Sequence, residues 1–186
     1  MGKIYRGHPL ILRIIIGEIL NEPFSGNIQA YWNDERENVN QKIEEVEKDL
    51  IEAEEGLNLG AEDEWKLHKL TRKIRNDMYE KRLKITFDRL EKNVNDAYIL
   101  ICAASVYRSP EKEKFWIEHL IHWIYRLEKI ECGQHRQEAA RQELSNRFLI
   151  VESINDNGQR KLEQHSLIRS VSIEHRKQLT KNLQIM

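Results

Sequence analysis

Glycine and proline are scarce, 8 and 3 in 186 residues, which leaves long stretches free of the residues that break helices. Cysteine is scarcer: Cys102 and Cys132 stand alone. That excludes a disulfide scaffold and reads as two reduced thiols, Cys102 lying in an apolar run. Charge of one sign is also missing. Thirty Lys and Arg against 31 Asp and Glu leave a formal net charge of −1, which argues against a nucleic-acid coat or a membrane-surface protein.

Long apolar runs are absent too. The longest near the N-terminus covers residues 10–20 and is broken by Arg13 and Glu18, short of the roughly 20 residues a spanning helix needs. No small-residue cleavage site follows it. The expectation is a cytoplasmic protein with no membrane partner. Chemical motifs are missing as well: no G-x-x-x-x-G-K-[ST], no G-x-G-x-x-G, no C-x-x-C and no H-E-x-x-H. Glu118, His119 and His122 share one expected helix, but Trp116 and Trp123 around them favour packing over metal binding. With no nucleophile–base pair to name, the chain is expected not to be an enzyme by itself.

Hydrophobic residues at 40% and charged residues at 33% describe a globular, helix-biased chain. The stretch 147–177 organises it. Phe148, Leu149, Ile150 and Val151 have the brevity and branching of a strand. Asn155-Asp156-Asn157-Gly158 follows as a turn, Asn157-Gly158 being suited to positive φ. The return strand, 160–165, has Leu162 as its one strong apolar anchor. Ser166 is placed to cap a helix carrying Leu167, Ile168, Val171 and Ile173.

Pro9 suits the first turn of a helix, and Leu10, Ile11, Ile14, Ile15, Gly17, Glu18 and Ile19 make that helix apolar on most sides. It calls for a partner that the remaining sequence scarcely offers. Val39, Ile43, Val46, Leu50 and Ala53 recur at helical spacing. Residues 33–64 hold 13 Asp or Glu against 3 Lys or Arg, and 66–92 hold 10 Lys or Arg against 4 Asp or Glu. Two helices joined at 56–60 would pair antiparallel with complementary charge. Trp65, Leu70, Ile74 and Met78 mark one later stripe. Leu83, Phe87, Leu90, Val94, Ala97, Tyr98 and Ile101 mark another, with a bend expected at 80–84. Residues 98–106 should form a core helix, ended by Arg108-Ser109-Pro110. Residues 111–123 form the next helix, with Phe115, Trp116, Leu120 and Trp123, and 134–147 the third, with Ala139, Ala140 and Leu144.

The expected fold is therefore mainly α. A helical subdomain, 1–80, precedes a winged-helix domain, 81–186, with a two-stranded hairpin wing and a C-terminal helix. A winged helix raises DNA binding as an alternative reading. Arg136, Arg141 and Arg147 on the third helix, with Arg160 and Lys161 on the wing, would supply phosphate contacts. Glu138, Glu143, Glu152 and Glu163 mix the sign of that surface. A third reading is a structural helical protein that forms a homo-oligomer through residues 39–94.

Three segments carry a family resemblance. Gly7-His8-Pro9-Leu10 with the helix behind it resembles the GLPL motif of NB-ARC nucleotide switches, of the STAND class of signal-transduction ATPases. Residues 96–120, with Ser105-Val106-Tyr107-Arg108-Ser109-Pro110 ahead of Phe115-Trp116, look like the opening of the winged-helix subdomain in bacterial, especially cyanobacterial-type, members. Gln164-His165-Ser166-Leu167-Ile168-Arg169 is similar to the MHD motif and its helix. The resemblance implies that Pro9 packs near the adenine of bound ADP and that His165 reaches its β-phosphate. His8, Gln164 and Ser166 depart from the apolar residue, the Met and the acid of the family pattern, which implies a weakened ADP lock.

The α/β nucleotide-binding core of the family has no counterpart here, and its Walker lysine, magnesium-binding acid and sensor arginine would lie before Met1. The resemblance thus implies the regulatory part of a truncated or split switch, whose partner is the missing or separately encoded nucleotide-binding domain. ADP or ATP would be contacted only together with that core, and the isolated chain would carry no cofactor.

Overall fold

The computed structural model describes residues 8–38 and 79–185. The acidic and basic helical hairpin expected between 33 and 78 lies almost wholly outside the described residues, as do the stripes Val39 to Ala53 and Trp65 to Met78. Most of the segment expected to support an oligomer, 39–94, lies outside them too.

The described chain is mainly helical with one small antiparallel sheet. Helices α1 (Pro9–Leu20) and α2 (Ile28–Asn38) come first, then α3 over residues 79–93. Helix α4 (Asn95–Ala103) runs into a 3-10 turn, Ala104–Val106. Strand β1 (Glu111–Lys112), helix α5 (Glu113–Glu128) and helix α6 (Gln134–Asn146) follow. Strands β2 (Val151–Ile154) and β3 (Arg160–Glu163) lead to α7 (Ser166–Ile185). No described helix is long and apolar enough to cross a membrane.

The apolar residues of 97–103 are buried on every side, so α4 is the central rod, packed by α5, α6 and α7. The stripe Leu83, Phe87 and Leu90 on α3 is fully buried, as its spacing requires. Through the region where a bend is expected, 80–84, α3 is continuous helix, described over 79–93. The interruption falls at Val94, whose φ of −144° takes the chain out of helix before α4 begins.

The hairpin expected as a wing differs from expectation in three ways. It is part of a three-stranded sheet of order β1-β3-β2, not a two-stranded hairpin. Glu111 and Lys112 pair with Leu162 and Lys161, although two charged residues carry no strand signal. The run Phe148 to Val151 is also mostly not strand. Phe148 sits at φ +56°, which turns Leu149 and Ile150 into the core and leaves β2 to start at Val151. Finally, Gly158 alone takes positive φ, at +72°. Asn155 closes the loop instead, its Oδ1 accepting from the Asn157 and Gln159 amides at 3.1 and 2.8 Å. Leu162 is the buried anchor of the return strand.

Helix α1 is not left uncovered. Ile11, Ile14 and Ile15 are buried, and only Ile16 and Leu20 stay exposed among its large apolar residues. Sequence hydropathy missed the cover because part of it is backbone and charge. Gly17 lies against the Arg147 backbone, where an added Cβ would meet Cα at 2.7 Å. The Arg147 guanidinium donates to the Glu22 carbonyl at 2.7 Å. On the other side, the buried Glu18 carboxylate accepts from Arg82 and, at 2.5 Å, from Arg89. Arg82 also donates to the Tyr31 hydroxyl, and Arg89 to Asp34. This network bolts α1 and α2 onto α3. One buried apolar cluster runs through the whole described fold, from Ile11 to Leu179.

Candidate functional site

Pro9 and His165, singled out from opposite ends of the chain, line the same cavity. It measures about 190 Å³ and is walled by Pro9, Leu10 and Arg13 from α1, Phe148 to Val151 from the connection before β2, and His165 and Ile168 from α7. Each wall has a local cause. Proline fits the first turn of α1, where its missing N–H costs no hydrogen bond. The positive φ at Phe148 turns its ring back toward α1, and the Arg13 guanidinium lies over it at 4.8 Å.

His165 occupies the end of β3 because its neighbours are tied down. Gln164 is buried, donating to the Ile101 carbonyl at 2.8 Å and accepting from the Ser172 hydroxyl at 2.9 Å. The His165 carbonyl accepts the first helical bond of α7, from the Arg169 amide at 2.9 Å. Its Nδ1 accepts from the Leu167 amide at 3.2 Å. His165 is thus the N-cap of α7, and Ser166 is the first helical residue, not the cap. With Nδ1 accepting, Nε2 of the neutral ring carries the proton and is a hydrogen-bond donor. A second imidazole stands close: the His8 ring packs at a tilt against Tyr79, with ring centroids 4.4 Å apart. Burial first, and the charge of His165 second, lower the His8 pKa from its ordinary value.

Chemically the cavity lining combines a guanidinium and an imidazole with apolar surface. Arg13, the His165 ring and the start of α7 suit an anionic group, while Pro9, Leu10 and Ile150 suit the edge of a ring. The donor set fits one end of a nucleotide. The volume does not fit a whole one, since complete small-molecule sites occupy roughly 300–1,000 Å³. Arg13 and Phe148 were missed as site residues. Their sequence signal was an arginine inside an apolar helix, which reads only as an interruption until its neighbour across the fold is known.

The remaining candidates are arranged differently from the sequence pattern. The four arginines offered to DNA are met by the protein's own carboxylates. Arg136 makes paired bonds to Asp96 at 2.7 and 2.6 Å and reaches Glu128. These bonds raise its pKa further. Arg141 contacts Glu113, Glu138 and Glu152, Arg147 is buried on Glu143, and Arg160 joins Glu113 and Glu152. His119 packs edge-on against Tyr107 at 5.5 Å, and burial lowers its pKa. His122 lies instead on a broad groove with Glu118, Ile121, Tyr125, Glu131 and Cys132. Both cysteines are buried free thiols, and burial pushes the Cys102 thiol well up, away from reactivity. Comparisons with protein-family models, with curated proteins and with solved structures find no match for this chain.

Proposed function

We propose that this chain is the helical and winged-helix regulatory part of an NB-ARC-type nucleotide switch, contributing an ADP-contacting edge and domain contacts but no hydrolysis. The observation that carries the reading is the cavity holding both Pro9 and His165. The resemblance requires those two residues to share one ligand, and nothing in their local sequences forces them together. The chain order supports the winged-helix part: helix α4, strand β1, helices α5 and α6, then the β2–β3 hairpin, with β1 pairing to β3.

Pro9 and the neighbouring apolar side chains would cover one face of the adenine. The His165 Nε2–H and the Arg13 guanidinium would hold phosphate oxygens. Gln164 fixes His165 through the core rather than through the ligand, so the missing acid at Ser166 weakens the ADP-bound state without loosening the histidine. The absent phosphate loop supplies most of the binding in such switches. Weak, localised ADP contact is the expectation for the chain alone.

An NMR titration with ADP tests this. Amide shifts confined to residues 9–13, 148–151 and 165–168, with a dissociation constant near the millimolar range of roughly −4 kcal/mol, are expected. A spectrum unchanged at about 10 mM ADP, or shifts centred elsewhere, overturns the reading. Reading DNA upstream of the Met1 codon gives an independent check, a phosphate loop being expected within about 250 residues.

A further inference from the structure

A different set of side chains converges on the far side of α3. Asp88 and Glu91 lie three residues apart, hence on one face of that helix. They meet His175 from the middle of α7. The ring nitrogen of His175 and the two carboxylate oxygens all lie within 4.8 Å of one another. Among the described residues this is the one group of three such ligands that comes together, and it excludes the Glu118, His119 and His122 set.

We infer that Asp88, Glu91 and His175 form a binding site for a divalent transition-metal ion of the zinc type, bridging α3 and α7. Three observations combine. First, His175 is only 5% exposed, and its Nδ1 is held by the Tyr98 hydroxyl at 3.2 Å. Phe87 packs against the ring at a centroid distance of 5.0 Å. Histidine ligands are oriented in this way, by a hydrogen bond at one nitrogen that leaves the other for the metal. Here Nε2 has no hydrogen bond among the described residues.

Second, no hydrogen bond or ion pair joins His175 to either carboxylate, so the three groups face one another without satisfying one another. The nearby Lys84 is already paired with Glu174 at 3.1 Å. Two carboxylates and a neutral imidazole form a donor set of charge −2, which a divalent cation balances. Third, the donors are right for the ion. One imidazole and two carboxylates suit zinc, cobalt or nickel better than magnesium or calcium, which favour oxygen alone.

Bonds of about 2.0–2.2 Å to each ligand require the three atoms to draw in slightly. Asp88 and Glu91 are exposed and have the rotamer freedom to do so, while the buried imidazole stays in place. Three protein ligands leave the fourth position to water, on the solvent side. The bound ion would pin the C-terminal helix to the helix that also carries Arg82 and Arg89.

The test uses the full, untagged chain, dialysed against chelator, in calorimetric titrations with Zn2+ and in Co2+ absorption spectra. One ion per chain is expected, with a zinc-induced rise in Tm that chelator reverses. D88N and E91Q alter exposed groups and leave the core intact, and each should weaken binding by at least about tenfold. H122A should bind like the unchanged chain. Tyr98→Phe removes the orienting hydroxyl and should weaken binding less than the ligand variants do. No binding by the unchanged chain at 1 mM Zn2+, or binding that survives both D88N and E91Q within tenfold, overturns the site. ADP titration has no part in this readout, so it stands or falls apart from the nucleotide reading.

Discussion

The two long faces of α3 are held by opposite means. Toward α1 and α2, Arg82 and Arg89 meet Glu18, Tyr31 and Asp34 through charged hydrogen bonds, and Glu18 and Arg82 are fully buried. Toward α4 and α7, Phe87 packs on Tyr98 and His175, beside the fully buried Leu83 and Leu90. The apolar face gains from leaving water and tolerates approximate fit. The ionic face loses solvation and recovers it only through geometry. The difference teaches that the α1–α3 contact is specific before it is strong. It fixes how the helix carrying Pro9 and Arg13 sits, and hence whether those residues reach His165.

The comparison breaks most sharply at Glu18. Glu18→Leu removes the buried carboxylate that Arg82 and Arg89 share and should cost about 3–5 kcal/mol, read as a fall in the urea midpoint. Adding Arg82→Met should recover a large part of that loss, because matched apolar residues replace buried ion pairs well. If the double variant is no better than the single one, the ionic face contributes strength as well as specificity. On the other face, Phe87→Ala should cost about 3–5 kcal/mol through a cavity, and no second substitution opposite it restores packing. Gly17→Ala comes next. Its Cβ meets the Arg147 backbone, which is not a flexible side-chain end, so a loss of about 1–3 kcal/mol is expected. His165→Ala removes the α7 cap and should cost about 0.5–2 kcal/mol. His165→Asn, which retains a capping acceptor, should recover most of that stability but not ADP contact.

The smallest effect is pH. His175 and His8 have pKa values lowered mainly by burial, so the unfolded chain binds more protons below the ordinary value of 6.5. Stability is therefore complete above that value and falls as the pH drops through the lowered, folded values. The fall is modest because Asp88, Glu91 and Glu174 favour the charged form of His175 and oppose the effect of burial. Urea midpoints from pH 7.5 to 5 measure it, and His175→Phe should flatten the curve.

Much of the helical architecture was legible from local rules. The nearly all-apolar stretch at 98–106 reads as a core, and Pro9, Pro110 and Gly158 mark boundaries that the backbone respects. Leu162 is the return strand's sole anchor because alternation there leaves no other. Errors arose where local signals competed with distant ones. Phe148 to Ile150 read as strand because branched apolar residues serve a strand and a buried turn equally. Pro9 and His165 were nominated from sequence, but Arg13 and Phe148 became wall residues only when α1 met the turn before β2.

By itself the sequence determined helix content, the hairpin turn and which residues leave water, because each depends on neighbours a few positions away. Tertiary structure alone decided the rest. Glu18 found Arg82 across 64 residues, Glu111 and Lys112 became a strand by pairing with β3, and Asp88, Glu91 and His175 converged. Charge pairs, edge strands and ligand sets depend on atoms within a few ångströms, and sequence distance does not encode that separation.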